Sequence, residues 1–151
     1  MQRRRFIQGV TATALIPVFA TAARAKVVNA NAMQYAVARN AITGGKDVIK
    51  SDNIKIKVPE IAENGAVIPV KVSVTSTMTK TEYVKSIHIL ATKNSNVRCA
   101  DVFFTLQNPK AYFSTRIKLG KTQEVEAIAA LSDGTFISAS QQVKVTIGGC
   151  G

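Results

Sequence analysis

The residues best suited to chemistry in this chain stand together at its end, Gly148-Gly149-Cys150-Gly151. A thiol with glycine on both sides carries almost no lateral bulk, because glycine has no Cβ and wide backbone freedom. From Gly148 to the sulfur such a tail extends about 10 Å, at roughly 3.3–3.6 Å per residue. Two readings stand side by side. In one, Cys150 pairs with another cysteine and the tail is a structural end. In the other, Gly148, Gly149 and Gly151 supply the flexibility of a thin arm that presents the Cys150 sulfur to another molecule. The thiolate is the reactive form of cysteine, with an ordinary pKa of about 8.5. The carboxylate of Gly151 lies beside Cys150 and disfavours a second negative charge. The tail therefore does not activate its own thiol, and a client enzyme would have to.

Other candidate chemistry is sparse. Cys99, the second of two cysteines, lies in phase with Asp101 and Phe103. That places it on the less apolar side of a strand, as a passive thiol or as a disulfide partner for Cys150 or another subunit. His88 is the single histidine. It lies opposite in phase to Ile87 and Ile89, as a solvated or interface residue of a strand. One histidine falls short of a copper site, which calls for two with a cysteine. The nine acidic residues form no recognisable pair, and phosphate loops, dinucleotide fingerprints and zinc spacings are missing from the sequence. No cofactor and no metal site is expected.

The elements that must carry the tail are mostly strands. Residues 27–43 have apolar side chains at near-helical spacing and stop at Gly44-Gly45, which predicts a helix. Beyond it, Ile54–Val58 alternates with lysines on the outer face, and Ala66–Thr75 alternates through Ile68, Val70, Val72 and Val74. Further strands are predicted over 83–92, 97–106, 111–119, 125–131 and 135–147, the last two joined by the Ser132-Asp133-Gly134 turn. A bulge is expected at Gln141-Gln142. Seven short strands after one helix predict an immunoglobulin-like antiparallel β-sandwich. The final strand runs directly into the tail, so the sheet is its mount.

Residues 1–25 read as an export signal of the twin-arginine type. Arg3-Arg4-Arg5 precedes Phe6-Ile7, an apolar stretch follows, and Ala23-Arg24-Ala25 fits a cleavage site. The organisation is then signal 1–25, β domain 26–147 and arm 148–151. The chain has 20 basic and 9 acidic residues. Four of the basic ones fall in the signal, which leaves the remaining 126 residues at +7. The lysines are scattered along strands without interleaved aromatics, so the charge reads as solvated faces with some attraction for small anions, not as a nucleic-acid surface. The mature chain contains no stretch long and apolar enough for membrane insertion.

Three segments together resemble the SoxY family, the sulfur carriers of the thiosulfate-oxidising Sox system. They are Val143–Gly151 with its Gly-Gly-Cys-Gly end, Val58–Val70 (VPEIAENGAVIPV), and Phe113–Ile117 with Leu131–Phe136. The family tail reads Gly-Gly-Cys-Gly-Gly, and here it reads Gly-Gly-Cys-Gly. The resemblance implies a non-catalytic carrier in the periplasm, with Cys150 as the covalent attachment point for sulfur intermediates held as S-thiosulfonate and persulfide. It implies a SoxZ-like partner subunit, exported in complex. It also implies service to a SoxAX cytochrome, a SoxB hydrolase and a sulfane dehydrogenase. Cys99 has no place in the family motif. The reading from a different class is a periplasmic immunoglobulin-like binding or assembly module with a structural tail disulfide.

Overall fold

The computed structural model describes residues 34–149. The signal segment 1–25, the start of the expected helix, Cys150 and Gly151 lie outside the described residues. The described residues are mainly β, with one short helix, α1 (Tyr35–Thr43), and nine strands. These are β1 (Val48–Lys50), β2 (Ile54–Lys57), β3 (Ile61–Asn64), β4 (Ile68–Val74), β5 (Val84–Ala91), β6 (Arg98–Phe103), β7 (Ala111–Ile117), β8 (Gln123–Leu131) and β9 (Phe136–Ile147).

One sheet runs β1-β9-β8-β5-β6, with β3 also on β9, and the second runs β2-β4-β7. Strict alternation in β4 sends Ile68, Val70, Val72 and Val74 inward and Pro69, Lys71 and Ser73 outward. Pro69 lacks an amide proton, and it sits where β4 has only β7 as a neighbour, since β2 reaches no further than Lys71. The inward faces of both sheets share one core, which includes Ile54, Val70, Val72, Ile87, Ile89, Val125, Ala127 and Val143.

Three expectations are corrected. The described residues form nine strands where about seven are expected, and the pairing is mixed. The β2/β4, β4/β7, β5/β6, β5/β8 and β8/β9 ladders are antiparallel, but β1 and β3 both lie parallel to β9. The chain leaves the edge of β9 after β1, crosses to the second sheet as β2, and returns to the same edge as β3. The expected bulge at Gln141-Gln142 does not form, because the β8/β9 register is continuous through both residues. Gln141 faces the core side, where its amide donates to Val58 O at 3.1 Å.

The helix ends as its sequence predicts, with Gly44 in the left-handed conformation at φ 63° and its amide on Asn40 O. Its buried face covers the outer side of the large sheet, with Ala38 against Leu90, Val97 and Ile128. A buried carboxylate, Glu126, ties the two together. It accepts a hydrogen bond from Tyr35 and lies 3.4 Å from Arg39. Burial and the adjacent carboxylate push the Tyr35 phenol well above its usual range.

Candidate functional site

The tail leaves the body through a backbone junction. The Gly65 amide donates to Ile147 O at 2.7 Å, the Leu119 amide to Gly65 O at 2.8 Å, and the Gly149 amide to Leu119 O at 3.0 Å. The junction is built from the Asn64–Ala66 turn, the Lys118–Lys121 loop and the end of β9. Of the expected arm glycines, Gly148 is exposed and Gly149 is half-buried against that junction. Gly151 and Cys150, the expected attachment residue, lie outside the described residues.

Cys99 takes a different place from the one expected. The β5/β6 register shifts between Ile89, which faces Ala100, and Leu90, which faces Arg98. Cys99 is thus the extra residue of a bulge, and a bulge resets the alternation on its strand. It turns from the phase of Asp101 and packs, half-buried, against the main core. The thiol is free and donates to Val97 O at 3.6 Å. Burial pushes its pKa up to about 11, against the opposing influence of nearby hydrogen bonds at Ala91 and Asn94.

His88 is buried, not solvated, at 6 % exposure. Its Nδ1 lies 2.5 Å from Asp101 Oδ1 and its Nε2 2.9 Å from Ser86 Oγ, with Phe103 edge-on at 6.0 Å. A carboxylate at Nδ1 favours a proton on that nitrogen, and Nε2 meets the Ser86 hydroxyl on the other side of the ring. In a hydrolase this order of groups would be nucleophile, base and orienting acid. Here Ser86 is only 5 % exposed, so the set is a polar clamp between β5 and β6. Sequence alone places these residues on strands but not opposite one another; the pairing of His88 with Asp101 is a matter of register.

Arg98 completes the clamp at 2.9 Å from Asp101 Oδ2. Burial raises the Asp101 carboxyl, but hydrogen bonds from His88 and Arg98 and their charge outweigh it, and the net pKa is lowered. A carboxylate depressed in the folded state contributes stability above its unfolded pKa of about 4, and that contribution is lost as pH falls through the folded value. Asp101→Asn is expected to flatten the acid limb of the stability profile. Melting curves at pH 3 and pH 6 check this: the gap between them shrinks in the variant. An unchanged gap would mean the clamp adds nothing to acid stability.

Among the described residues, no group of three or more His, Cys, Asp or Glu is placed to hold a metal ion, and no helix is long and apolar enough to cross a membrane. The sequence profile of the family described as "Sulfur oxidation protein SoxY" matches residues 39–150, the greater part of the chain, and reaches Cys150.

The chain belongs to the SoxY family.

Among solved structures, the SoxY sulfur carrier protein from Chlorobium limicola f thiosulfatophilum is 32% identical, with a TM-score of 0.61, over 73% of this chain and 94% of that one. A superoxide reductase (neelaredoxin) from Ignicoccus hospitalis is similar at 20% identity and TM-score 0.56, over 62% of this chain and 80% of that one. A putative superoxide reductase from Thermotoga maritima follows at 13% identity and TM-score 0.53, over 65% of this chain and 93% of that one. At such identities the reductases share the fold alone with this SoxY-family chain. No curated protein matches it significantly. Family membership makes the chain a sulfur carrier in sulfur oxidation, and SoxY proteins carry sulfur on cysteine.

Proposed function

We propose that Cys150 is the residue on which this protein carries sulfur, and that thiosulfate is the compound loaded. One observation carries the choice between two cysteines. The family match runs to Cys150, whereas Cys99 is packed against the core with its thiol pKa raised to about 11. A carrier thiol must reach reaction partners as a thiolate, and Cys99 is poorly placed for either requirement.

Loading is a two-electron oxidation. The Cys150 thiol loses its proton, its sulfur bonds to the outer sulfur of thiosulfate, and two electrons pass to a c-type cytochrome of the SoxAX kind. The product is a cysteine S-thiosulfonate. Water, directed by a SoxB-type hydrolase, then cleaves the bond to the sulfonate sulfur. Sulfate leaves and a persulfide stays on Cys150, the substrate for a sulfane dehydrogenase. The protein itself catalyses no step. Its two-sheet body, which we read as an immunoglobulin-like sandwich, is the mount, and the slim glycine tail suits passage into the channels of these enzymes. A SoxZ-like subunit is the expected partner, and the 1–25 segment the twin-arginine signal that brings the complex to the periplasm.

Intact mass spectrometry tests this. Incubation with thiosulfate and a SoxAX-type oxidase is expected to add a single adduct that a reducing agent removes and peptide mapping places at Cys150. No adduct, or one on Cys99, would sink the proposal.

A further inference from the structure

Three glycines at the tail junction are fixed by contact rather than by the need for freedom. A methyl group placed on Gly65 would stand 2.2 Å from Leu119 O, one on Gly148 2.2 Å from Gly120 O, and one on Gly149 2.6 Å from the Ala66 backbone. These obstacles are all main chain and cannot swing aside as a flexible side chain would. The tail root is therefore seated between two loops at a spacing that only glycine permits.

Both loops are braced. On one side Asn64 Oδ1 accepts from the Ala66 amide at 2.9 Å, closing the turn around Gly65. On the other, Asn94 spans the Lys118–Lys121 loop. Its Nδ2 donates to Lys118 O at 2.7 Å, and its Oδ1 accepts from the Gly120 amide at 3.0 Å and from Gln123 Nε2 at 2.7 Å. Gln123 is fully buried. It also donates to Lys121 O at 3.0 Å and accepts from the Lys93 amide at 2.8 Å. Both polar atoms of Asn94 and the Gln123 Nε2 thus hold the loop that receives the Gly149 amide, while Gln123 Oε1 ties that loop to Lys93.

We propose that this assembly is a docking cradle. Gly65 and the Leu119-Gly120 shelf, braced by Asn64, Asn94 and Gln123, seat Gly148 and Gly149 and so fix the point from which the carrier cysteine is presented. Asn94 and Gln123 are positioning residues. They act on the thiol through the shelf and touch no sulfur compound. The root alternates between a seated state and a released one, and the released state gives the tail its full reach. Seating depends on one hydrogen bond from Gly149 and on the close fit of glycines, so release is easy. A net hydrogen bond in water corresponds to roughly a two- to tenfold bias.

The consequence for sulfur loading rests on Cys150 being the carrier thiol, but the test does not. In the full chain, amide exchange followed by NMR is expected to show the Gly149 amide protected about fivefold relative to an unstructured peptide. Gly149→Ala, which keeps the amide but adds a methyl against Ala66, is expected to abolish that protection and to raise the rate of Cys150 alkylation by a neutral reagent severalfold. Asn94→Ala is expected to do the same from the other wall. In both variants, exchange in the middle of β5 should stay slow, which separates loss of seating from loss of fold. An unprotected Gly149 in the wild-type chain would overturn the cradle. So would protection and alkylation that neither variant changes. Failure of the carrier reading would appear elsewhere, as a missing sulfur adduct.

Discussion

Replacing Cys150 by serine is expected to abolish covalent sulfur loading, with no takeover by Cys99. The second half of this expectation follows from thiolate arithmetic. At pH 8 a thiol with a pKa of about 11 is roughly one part in a thousand ionised, whereas an ordinary thiol near 8.5 is about one quarter ionised. The thiolate of higher pKa is intrinsically more nucleophilic, which returns about a tenfold factor. A deficit of roughly 20-fold remains before access is considered. Access deepens it, because the Cys99 sulfur is packed at a bulge within the sheet, against the core. The check is intact mass of the Cys150→Ser chain after incubation with thiosulfate and the oxidase, alongside the rate at which the same chain reacts with an alkylating reagent. No adduct and slow alkylation are expected. An adduct on Cys99 would make it a second carrier site.

Truncating Ile89 to alanine is expected to cost about 4 kcal/mol, near the upper part of the range for buried isoleucine. Ile89 is completely buried in the middle of β5. Its neighbours across the sheet are Ala100 on β6 and Ala127 on β8. Neither has a side chain long enough to fill the space left behind, so the cavity stays open and the cavity penalty adds to the lost transfer energy. Against a typical total stability of about 5–15 kcal/mol this is a large fraction. For a domain of this size it lowers Tm by about 15 °C, at roughly 4 °C per kcal/mol. Ile89→Val should cost only about 1 kcal/mol. Denaturant titration with an unchanged slope checks both values. A loss below about 1 kcal/mol for the alanine variant would show that the facing sheet closes over the gap.

How far the sequence discloses the structure varies by element, for physical reasons. β4 is plain because Ile68, Val70, Val72 and Val74 all face the core while their neighbours face solvent. β1 and β3 are invisible. They have three and four residues, lack an alternating pattern, and exist only because β9 offers them an edge. The polar pair Gln141-Gln142 suggests a broken ladder, yet Gln141 finds a carbonyl on the core side and the ladder continues. Cys99 is misplaced by phase because a bulge depends on both strands of the pair, and no property of β6 alone announces it. The His88–Asp101 clamp is hidden for the same reason. The chemically interesting tail is legible from its residue types. Its seat is not, because the contact of Gly65 with Gly149 joins positions far apart in the chain. In the sequence Gly65 shows only as part of a turn.

The path of β9 has a mechanical consequence. Of its twelve residues, β8 pairs with Phe136–Val143 on one side, β1 and β3 pair with the two ends on the other, and the tail continues directly from its end. Ladder hydrogen bonds lie across the strand direction. A pull applied to the tail along the strand therefore loads both ladders in shear, with many bonds sharing the force at once, instead of peeling them apart one after another. Under the proposed carrier function, an enzyme that grips the end of the chain would draw on this tether and release it while the sheet behind it holds.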